Sequence, residues 1–268
     1  MKKLLLSGLF IFVAHIIFAQ ANYNLESDIS YIQPNEKDPY RLERCKLDIY
    51  YPVDKKDFPT VVWFHGGGLE NGGKHFLENM KERGIAIVAV NYRLSPKAQH
   101  PAYIEDAAES VAWTFKHIEQ YGGSAKNIFV AGHSAGGYLA LMVGLDKSYL
   151  QKHSVDADSI RGLIPISGQT NTHYTIRKER GLSMKTPLID EYAPLYQARG
   201  GIPPTLLITG DRNLEMTARY EENAHLQAIL KSFGNEELKL YELQGYGHGN
   251  VVYPAGLLLL NWVKKYGL

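Results

Sequence analysis

The sequence is poor in cysteine and carries no block of like charge. Cys45 is the single cysteine among 268 residues, so no disulfide can form within the chain. Stability must come from a buried core, and we expect Cys45, in a strand-like stretch, to be a small buried side chain. The formal net charge is +1, and lysine and arginine do not cluster in long runs. This distribution argues against nucleic acid or an anionic membrane surface as a partner.

Patterns that bind metal are missing as well. No H-E-x-x-H or comparable spacing of histidine and acidic residues occurs. The sequence therefore predicts neither a metal nor another cofactor. Most of the 10 histidines are expected to be surface or satisfied core residues.

The N-terminal apolar run is too short to cross a membrane comfortably. Two lysines precede an apolar stretch over residues 4–18, and Ala19-Gln20-Ala21 offers a small-residue cleavage site. This order is typical of a secretory signal peptide over residues 1–21, followed by one domain over 22–268. It predicts a secreted or periplasmic protein with no membrane contact after cleavage. An uncleaved anchor is the alternative, which the length disfavours because a spanning helix needs about 20 apolar residues.

Short continuous apolar runs alternate along the chain with stretches of helical periodicity. Such runs are typical of strands covered on both faces, and they lie at Thr60–Phe64, Ile85–Val90, Ile128–Ala131, Leu163–Ile166, Thr205–Ile208 and Leu238–Leu243. Spacings of three and four predict helices over Ile104–Tyr121, Arg219–Phe233 and Tyr253–Tyr266. The alternation predicts an α/β fold with a mostly parallel central sheet, helices on both faces, and chemistry at the carboxyl ends of the strands.

Three segments depart from this alternation. Residues 22–43 are polar and irregular, which predicts an extended arm leading into the first strands. Lys46–Tyr51 alternates polar and apolar residues, as expected of an antiparallel edge strand with one wet face. Residues 169–200 lack strong periodicity and form either an inserted cap over the site or a long surface loop.

A glycine-flanked serine stands between a predicted strand and a predicted helix. The string Gly132-His133-Ser134-Ala135-Gly136 follows the apolar run Ile128–Ala131 and leads into the apolar stretch Tyr138–Leu145. A sharp strand-to-helix turn of this kind exposes the serine hydroxyl to a base, and the tight turn excludes side chains two residues either side of it. The pattern predicts Ser134 as a nucleophile.

A nucleophilic serine also needs donors for an oxyanion and a base. His65-Gly66-Gly67-Gly68 follows the strand Val61–Phe64, so the N–H groups of Gly67, Gly68 and Ala135 are the predicted donors. His248, flanked by glycines after the final predicted strand, is the predicted base. That position allows it to reach Ser134 at the sharp strand-to-helix turn, which we call the elbow.

The chain resembles the α/β-hydrolase superfamily. More narrowly, it resembles the hormone-sensitive-lipase-like esterases and the related bacterial feruloyl and acetyl-xylan esterases over about residues 45–266. The resemblance rests on His65–Gly68, Asn91–Pro96, Pro101 with Glu105–Ala107, Gly132–Gly137 and Gly247–Gly249. It implies that the tyrosine and arginine of the second motif are structural supports below the site.

The position of the acid differs from the pattern of this family. In many relatives an acid stands three residues after the glycine that ends the strand beginning at Thr205, and here that position is Asn213. Asp211 precedes it and Glu215 follows it by two residues. Either preserves the chain order serine, acid, histidine. The distance to the next helix favours Glu215, if the loop carries two extra residues.

The resemblance implies a serine carboxylesterase that acts on short-chain or aromatic acyl esters. Together with the predicted leader, it makes small-molecule or plant-polysaccharide esters the expected substrates. An amidase or peptidase with the same triad is an alternative, as is a catalytically silent binding protein on this fold. Asn213 is the one feature that favours the silent protein, because an amide cannot hold a negative charge against an imidazolium.

Overall fold

In the computed structural model, which describes residues 22–268, the strands form a single sheet. In chain order they are β1 (Tyr23–Ser30), β2 (Lys46–Pro52), β3 (Phe58–Phe64), β4 (Ala86–Val90), β5 (Gly123–His133), β6 (Gly162–Ile166), β7 (Thr205–Gly210) and β8 (Leu238–Leu243). The order across the sheet is β1-β2-β4-β3-β5-β6-β7-β8. Only the pairings of β2, with β1 and with β4, are antiparallel. The predicted leader, residues 1–21, lies outside the described residues.

The α-helices described within this range lie between successive strands, except the last, which follows β8. They are α1 (Pro39–Arg44), α2 (Ala102–His117), α3 (Ala135–Leu145), α4 (Lys147–Gln151), α5 (Tyr174–Glu179), α6 (Arg219–Ser232) and α7 (Val252–Tyr266). Every residue of α3 is buried, which explains its uniformly apolar sequence. From residue 22 to residue 268, no helix is both long and apolar enough to cross a membrane.

The core lies on both faces of the sheet because successive strand residues point in opposite directions. Val62 of β3 faces the cluster formed with α2 and α3, whereas its neighbours Val61 and Trp63 face the cluster formed with α7. A third cluster joins α3 and α6 over Leu207 of β7. Helices therefore cover both faces, as the sequence predicted.

The predicted strands and helices are present, with three corrections at the sheet margins. Residues 22–43 contain β1 and α1 rather than only an extended arm. The stretch Lys46–Tyr51, predicted as an edge strand, forms β2, which lies inside the sheet because β1 pairs with its outer side. The run Leu238–Leu243 forms β8 at the opposite edge, and it is not covered on both faces, because its alternate residues Lys239 and Tyr241 are exposed. Cys45 is buried and free, as predicted.

Candidate active site

Ser134 occupies the apex of a strained turn between β5 and α3. Its backbone angles are φ 56° and ψ −115°, a region that few non-glycine residues adopt. A Cβ atom on Gly132 would lie 2.5 Å from the backbone of Gly136, and one on Gly136 would overlap the carbonyl of Phe64. Close backbone approach thus requires both glycines, as the sequence indicated.

The structure brings Ser134 together with His248 and Glu215. The Nε2 atom of His248 lies 2.8 Å from the Oγ atom of Ser134. The Nδ1 atom of His248 forms a short hydrogen bond with Oε1 of Glu215. The three side chains come from separate loops at the carboxyl ends of β5, β7 and β8. The arrangement allows the serine proton to pass to an imidazole that a carboxylate orients.

Glu215 is held as a carboxylate although its side chain is fully buried. Its Oε2 atom accepts hydrogen bonds from the Ser167 hydroxyl at 2.7 Å and from the Gly210 N–H at 3.1 Å. Burial alone would raise the pKa of Glu215, but hydrogen bonds from His248 and Ser167 outweigh it and lower the pKa to about 2. A charged acid opposite the imidazole is therefore maintained at neutral pH.

Asp211, the other candidate acid, is engaged within its own turn. Its Oδ1 atom accepts the backbone N–H of Asn213 at 2.9 Å and the side-chain amide of that residue at 3.2 Å. Its Oδ2 atom accepts the N–H of Gly245 at 3.0 Å. These backbone hydrogen bonds lower the pKa of Asp211. Asp211 therefore joins the turn after β7 to the turn after β8, and it does not contact His248.

The glycine loop that contains two of the predicted oxyanion donors, Gly67 and Gly68, borders the elbow through Gly66. A Cβ atom on Gly66 would lie 3.4 Å from Cβ of Ser134, so this glycine loop borders the serine closely. Gly67 and Gly68 have φ angles of 116° and 67°, which favour glycine. Ala135 is the first residue of α3, where N–H groups have no acceptor within the helix.

A side-chain brace that the sequence did not reveal supports the glycine loop. Arg44 approaches the Nε2 atom of His65 at 3.2 Å, so Nε2 accepts and Nδ1–H donates to the Gly66 carbonyl at 2.6 Å. Burial lowers the pKa of His65 to about 4, which keeps the ring neutral. The Tyr92 hydroxyl donates to the His65 carbonyl at 2.7 Å. No local sequence signal links Arg44 to this loop.

His133 and Ser167 also contact the site without having been predicted to do so. The Nε2–H of His133 donates to the His248 carbonyl at 2.8 Å, and burial lowers the pKa of His133 to about 4. Ser167 donates to Glu215, as described above. The two contacts join residues 115 and 48 positions apart, so neither could be derived from spacing. They orient the base and the acid rather than the serine.

A cavity of about 860 Å³ adjoins the acid on the side of α5 and the start of α6. Glu215 and Tyr174 of α5 both contribute to its lining. A Cβ atom on Gly68 would overlap the Tyr174 hydroxyl, and Thr175 donates a hydrogen bond to the Gly68 carbonyl. Part of segment 169–200 therefore lies between the glycine loop and this cavity. Among residues 22–268, no group of three His, Cys, Asp or Glu side chains could hold a metal ion.

The eight-stranded sheet and the elbow define an α/β-hydrolase fold. A truncated form of a carbohydrate esterase from gut microbiota has a similar structure, with a TM-score of 0.75 over 92% of this chain and 97% of that chain. The two are 14% identical in sequence, so the likeness concerns the fold. The BD-FAE family model matches residues 47–261, and the chain belongs to that family.

Proteins named as esterases are similar to this chain over about three quarters of its length. It is 24% identical over 228 residues to the esterase LipC of Mycobacterium tuberculosis, covering 76% of this chain and 56% of LipC. It is 29% identical over 226 residues to the probable isoprenylcysteine alpha-carbonyl methylesterase ICMEL1 of Oryza sativa, covering 74% of this chain and 53% of that protein. The chain thus spans about half the length of these relatives.

Proposed function

We propose that this protein is a serine carboxylesterase in which Ser134, His248 and Glu215 form the catalytic triad. The observation that carries the proposal is the continuous pair of hydrogen bonds from Ser134 through His248 to Glu215. The esterase names of its relatives support the same chemistry. Because both the serine and the histidine are present and in contact, a catalytically silent binding protein is a poorer explanation.

The proposed reaction begins when Ser134 Oγ attacks the carbonyl carbon of the ester. Nε2 of His248 takes the serine proton, while Glu215 stabilises the imidazolium through Nδ1. The N–H groups of Gly67, Gly68 and Ala135 bind the oxyanion of the tetrahedral intermediate. His248 then protonates the leaving alcohol, which departs and leaves an acyl-serine. Water, deprotonated by His248, releases the acid and restores the hydroxyl.

The proposed substrates are short-chain or aromatic acyl esters, including esters on plant polysaccharide, hydrolysed outside the cytoplasm. Membership of the BD-FAE family and the named carbohydrate esterase among its structural neighbours support this choice. The leader-like pattern of residues 1–21 supports export. We further propose that segment 169–200 forms one wall of the substrate pocket, since Tyr174 lies beside Gly68.

Hydrolysis of p-nitrophenyl acetate, p-nitrophenyl butyrate and methyl ferulate by the protein beginning at Asn22 tests the proposal. We expect turnover that falls by about 10⁴-fold or more in Ser134→Ala. A wild-type rate equal to that of Ser134→Ala on all three esters would overturn it. The matching p-nitroanilides test the amidase alternative. That alternative requires each anilide to be hydrolysed as fast as the corresponding ester.

A further inference from the structure

The cavity beside Glu215 is lined by two buried arginines whose guanidinium groups donate to backbone carbonyls rather than to a carboxylate. Arg177 and Arg219 line it, and each is 4% exposed. The Arg177 guanidinium donates to the Thr186 carbonyl, and that of Arg219 donates to the Ser167 carbonyl. Within residues 22–268, neither arginine forms an ion pair, and the buried Nε atom of Arg177 has no hydrogen-bond partner. Buried guanidinium groups normally face an anion, because an uncompensated buried charge is destabilising.

The remaining charges of the cavity offset only part of this positive charge. The nearby Glu222 carboxylate favours the charged form of both arginines, but burial outweighs it and lowers the pKa of each. Lys185 adds a third cation to the lining, and the carboxylates are Glu215 and Glu222. Glu215 holds His248, as described above. Glu222 accepts the Thr170 N–H at 3.1 Å and the side-chain amide of Asn171 at 3.2 Å. Cationic groups therefore outnumber the carboxylates, one of which belongs to the triad.

The position of the cavity connects this charge to the reacting serine. Tyr174 borders it and also lies beside Gly68, one of the proposed oxyanion donors. Arg219 donates to the carbonyl of Ser167, whose hydroxyl binds Glu215. A group that extends from an ester bound at Ser134 past Tyr174 would enter the cavity. Guanidinium forks match a planar carboxylate with two parallel hydrogen bonds.

We propose that this cavity is a subsite for a carboxylate carried by the ester substrate, with Arg177 and Arg219 as the recognising residues. This inference rests on the proposed esterase activity and narrows its substrate class to esters of acidic compounds. Met184 and Met216 border the same cavity and are 53% and 41% exposed. The part of the substrate between the ester and the carboxylate would therefore contact an apolar surface.

Matched ester pairs that differ only in charge test the subsite. In one pair, 4-acetoxybenzoate and 4-acetoxybenzamide, the charge is on the leaving group; in the other, monomethyl adipate and the methyl ester of adipic monoamide, it is on the acyl group. We expect wild-type kcat/KM to favour the carboxylate member of at least one pair by about tenfold or more. The preference should fall to about one in Arg177→Gln and Arg219→Gln.

Lys178→Gln provides the matched control, because Lys178 lies on the same short helix but its Nζ atom pairs with Oε1 of Glu70 at 2.6 Å, outside the cavity lining. Its charge preference should equal that of the wild type. Arg177→Lys keeps the charge and loses the fork, so a partial preference is expected. A wild type that hydrolyses neutral esters with no preference for the charged members keeps the esterase proposal and overturns the subsite.

Direct binding separates the two proposals further. Calorimetric titration of Ser134→Ala with adipate should show binding that is lost when Arg219→Gln is added. If no ester is hydrolysed but adipate still binds in this Arg219-dependent way, the cavity binds carboxylates as proposed, whereas the esterase proposal, and with it the role of the cavity as a substrate subsite, fails. Binding of inorganic phosphate without binding of adipate would overturn the assignment to a carboxylate.

Discussion

Glu215 and Asp211 show that the role of an acidic residue depends on the groups around it. Both follow β7 within five residues, and both are carboxylates with lowered pKa values. The backbone N–H groups of Asn213 and Gly245 occupy Asp211, whereas Glu215 reaches across to His248. The difference arises from the position in which the turn after β8 holds His248. The number of residues between each acid and His248 does not predict that position.

Substitution of the two acids should separate their roles. We expect Glu215→Gln to lower kcat by about 10⁴-fold, because an amide cannot stabilise the imidazolium and favours the wrong tautomer. Asp211→Asn should retain most of the activity, since its carboxylate binds turn N–H groups rather than His248. Steady-state hydrolysis of p-nitrophenyl butyrate measures both. Greater loss in Asp211→Asn than in Glu215→Gln would contradict the assignment.

Ser167 should position the acid without touching the substrate. Its hydroxyl lies 2.7 Å from Oε2 of Glu215. Ser167→Ala removes a hydrogen bond to a buried charge, so we expect kcat to fall by roughly 10–100-fold with little change in KM. Ser167→Thr, which keeps the hydroxyl, should recover part of the loss. Equal losses in both variants would show that the hydroxyl is not the cause.

At the scale of elements, short-range patterns predicted the strands and helices well. The run Ile85–Val90 corresponds to β4, and the periodic stretch Arg219–Phe233 corresponds to α6 within one residue. The prediction failed for β1, because a polar edge strand needs only backbone pairing and leaves side chains such as Leu25, 50% exposed, in solvent. The edge strand β8 was predicted because Leu238 is buried and apolar residues recur along the strand, whereas β1 has no buried residue and so leaves no apolar pattern in the sequence.

The elbow has no space for an added methyl group at Gly136. In Gly136→Ala the new Cβ would overlap the Phe64 carbonyl, so we expect the melting temperature to fall by about 5–10 °C. In Gly73→Ala the Cβ would lie 3.7 Å from Oδ1 of Asn91, an ordinary contact, and little change is expected. Thermal unfolding followed by circular dichroism compares them. Similar melting temperatures for both variants would show that the elbow tolerates a side chain.

The whole molecule combines one continuous sheet with several neutral buried histidines. His65 and His173 are almost fully buried and His133 is partly buried, and burial lowers the pKa of each. For the first two, the pKa falls from 6.5 to about 4. These rings therefore take up protons more readily in the unfolded chain than in the folded one.

This difference predicts how stability depends on pH. Between pH 6.5 and 4 the unfolded chain binds more protons, so the stabilising contribution is complete above pH 6.5 and is lost towards pH 4. Each histidine adds a slope of at most about 1.4 kcal/mol per pH unit. We expect melting temperatures to fall over this range, and to fall less steeply in His133→Gln. His225 is exposed, so His225→Gln should show the same change of melting temperature with pH as the wild type. Identical slopes of melting temperature against pH in all three proteins would contradict the prediction.

The sequence alone was sufficient to predict the α/β fold and to select Ser134, His248 and the glycine loop as candidates. Apolar periodicity and glycine spacing are properties of contiguous residues, so they can be recognised without a structure. The sequence favoured Glu215 over Asp211 only through the length of a loop. Only the tertiary structure brought Glu215 to His248, joined Arg44 to His65, and placed Arg177 and Arg219 in one cavity. Those contacts bring together side chains from separate segments, and their formation depends on how the loops pack at the carboxyl ends of the strands.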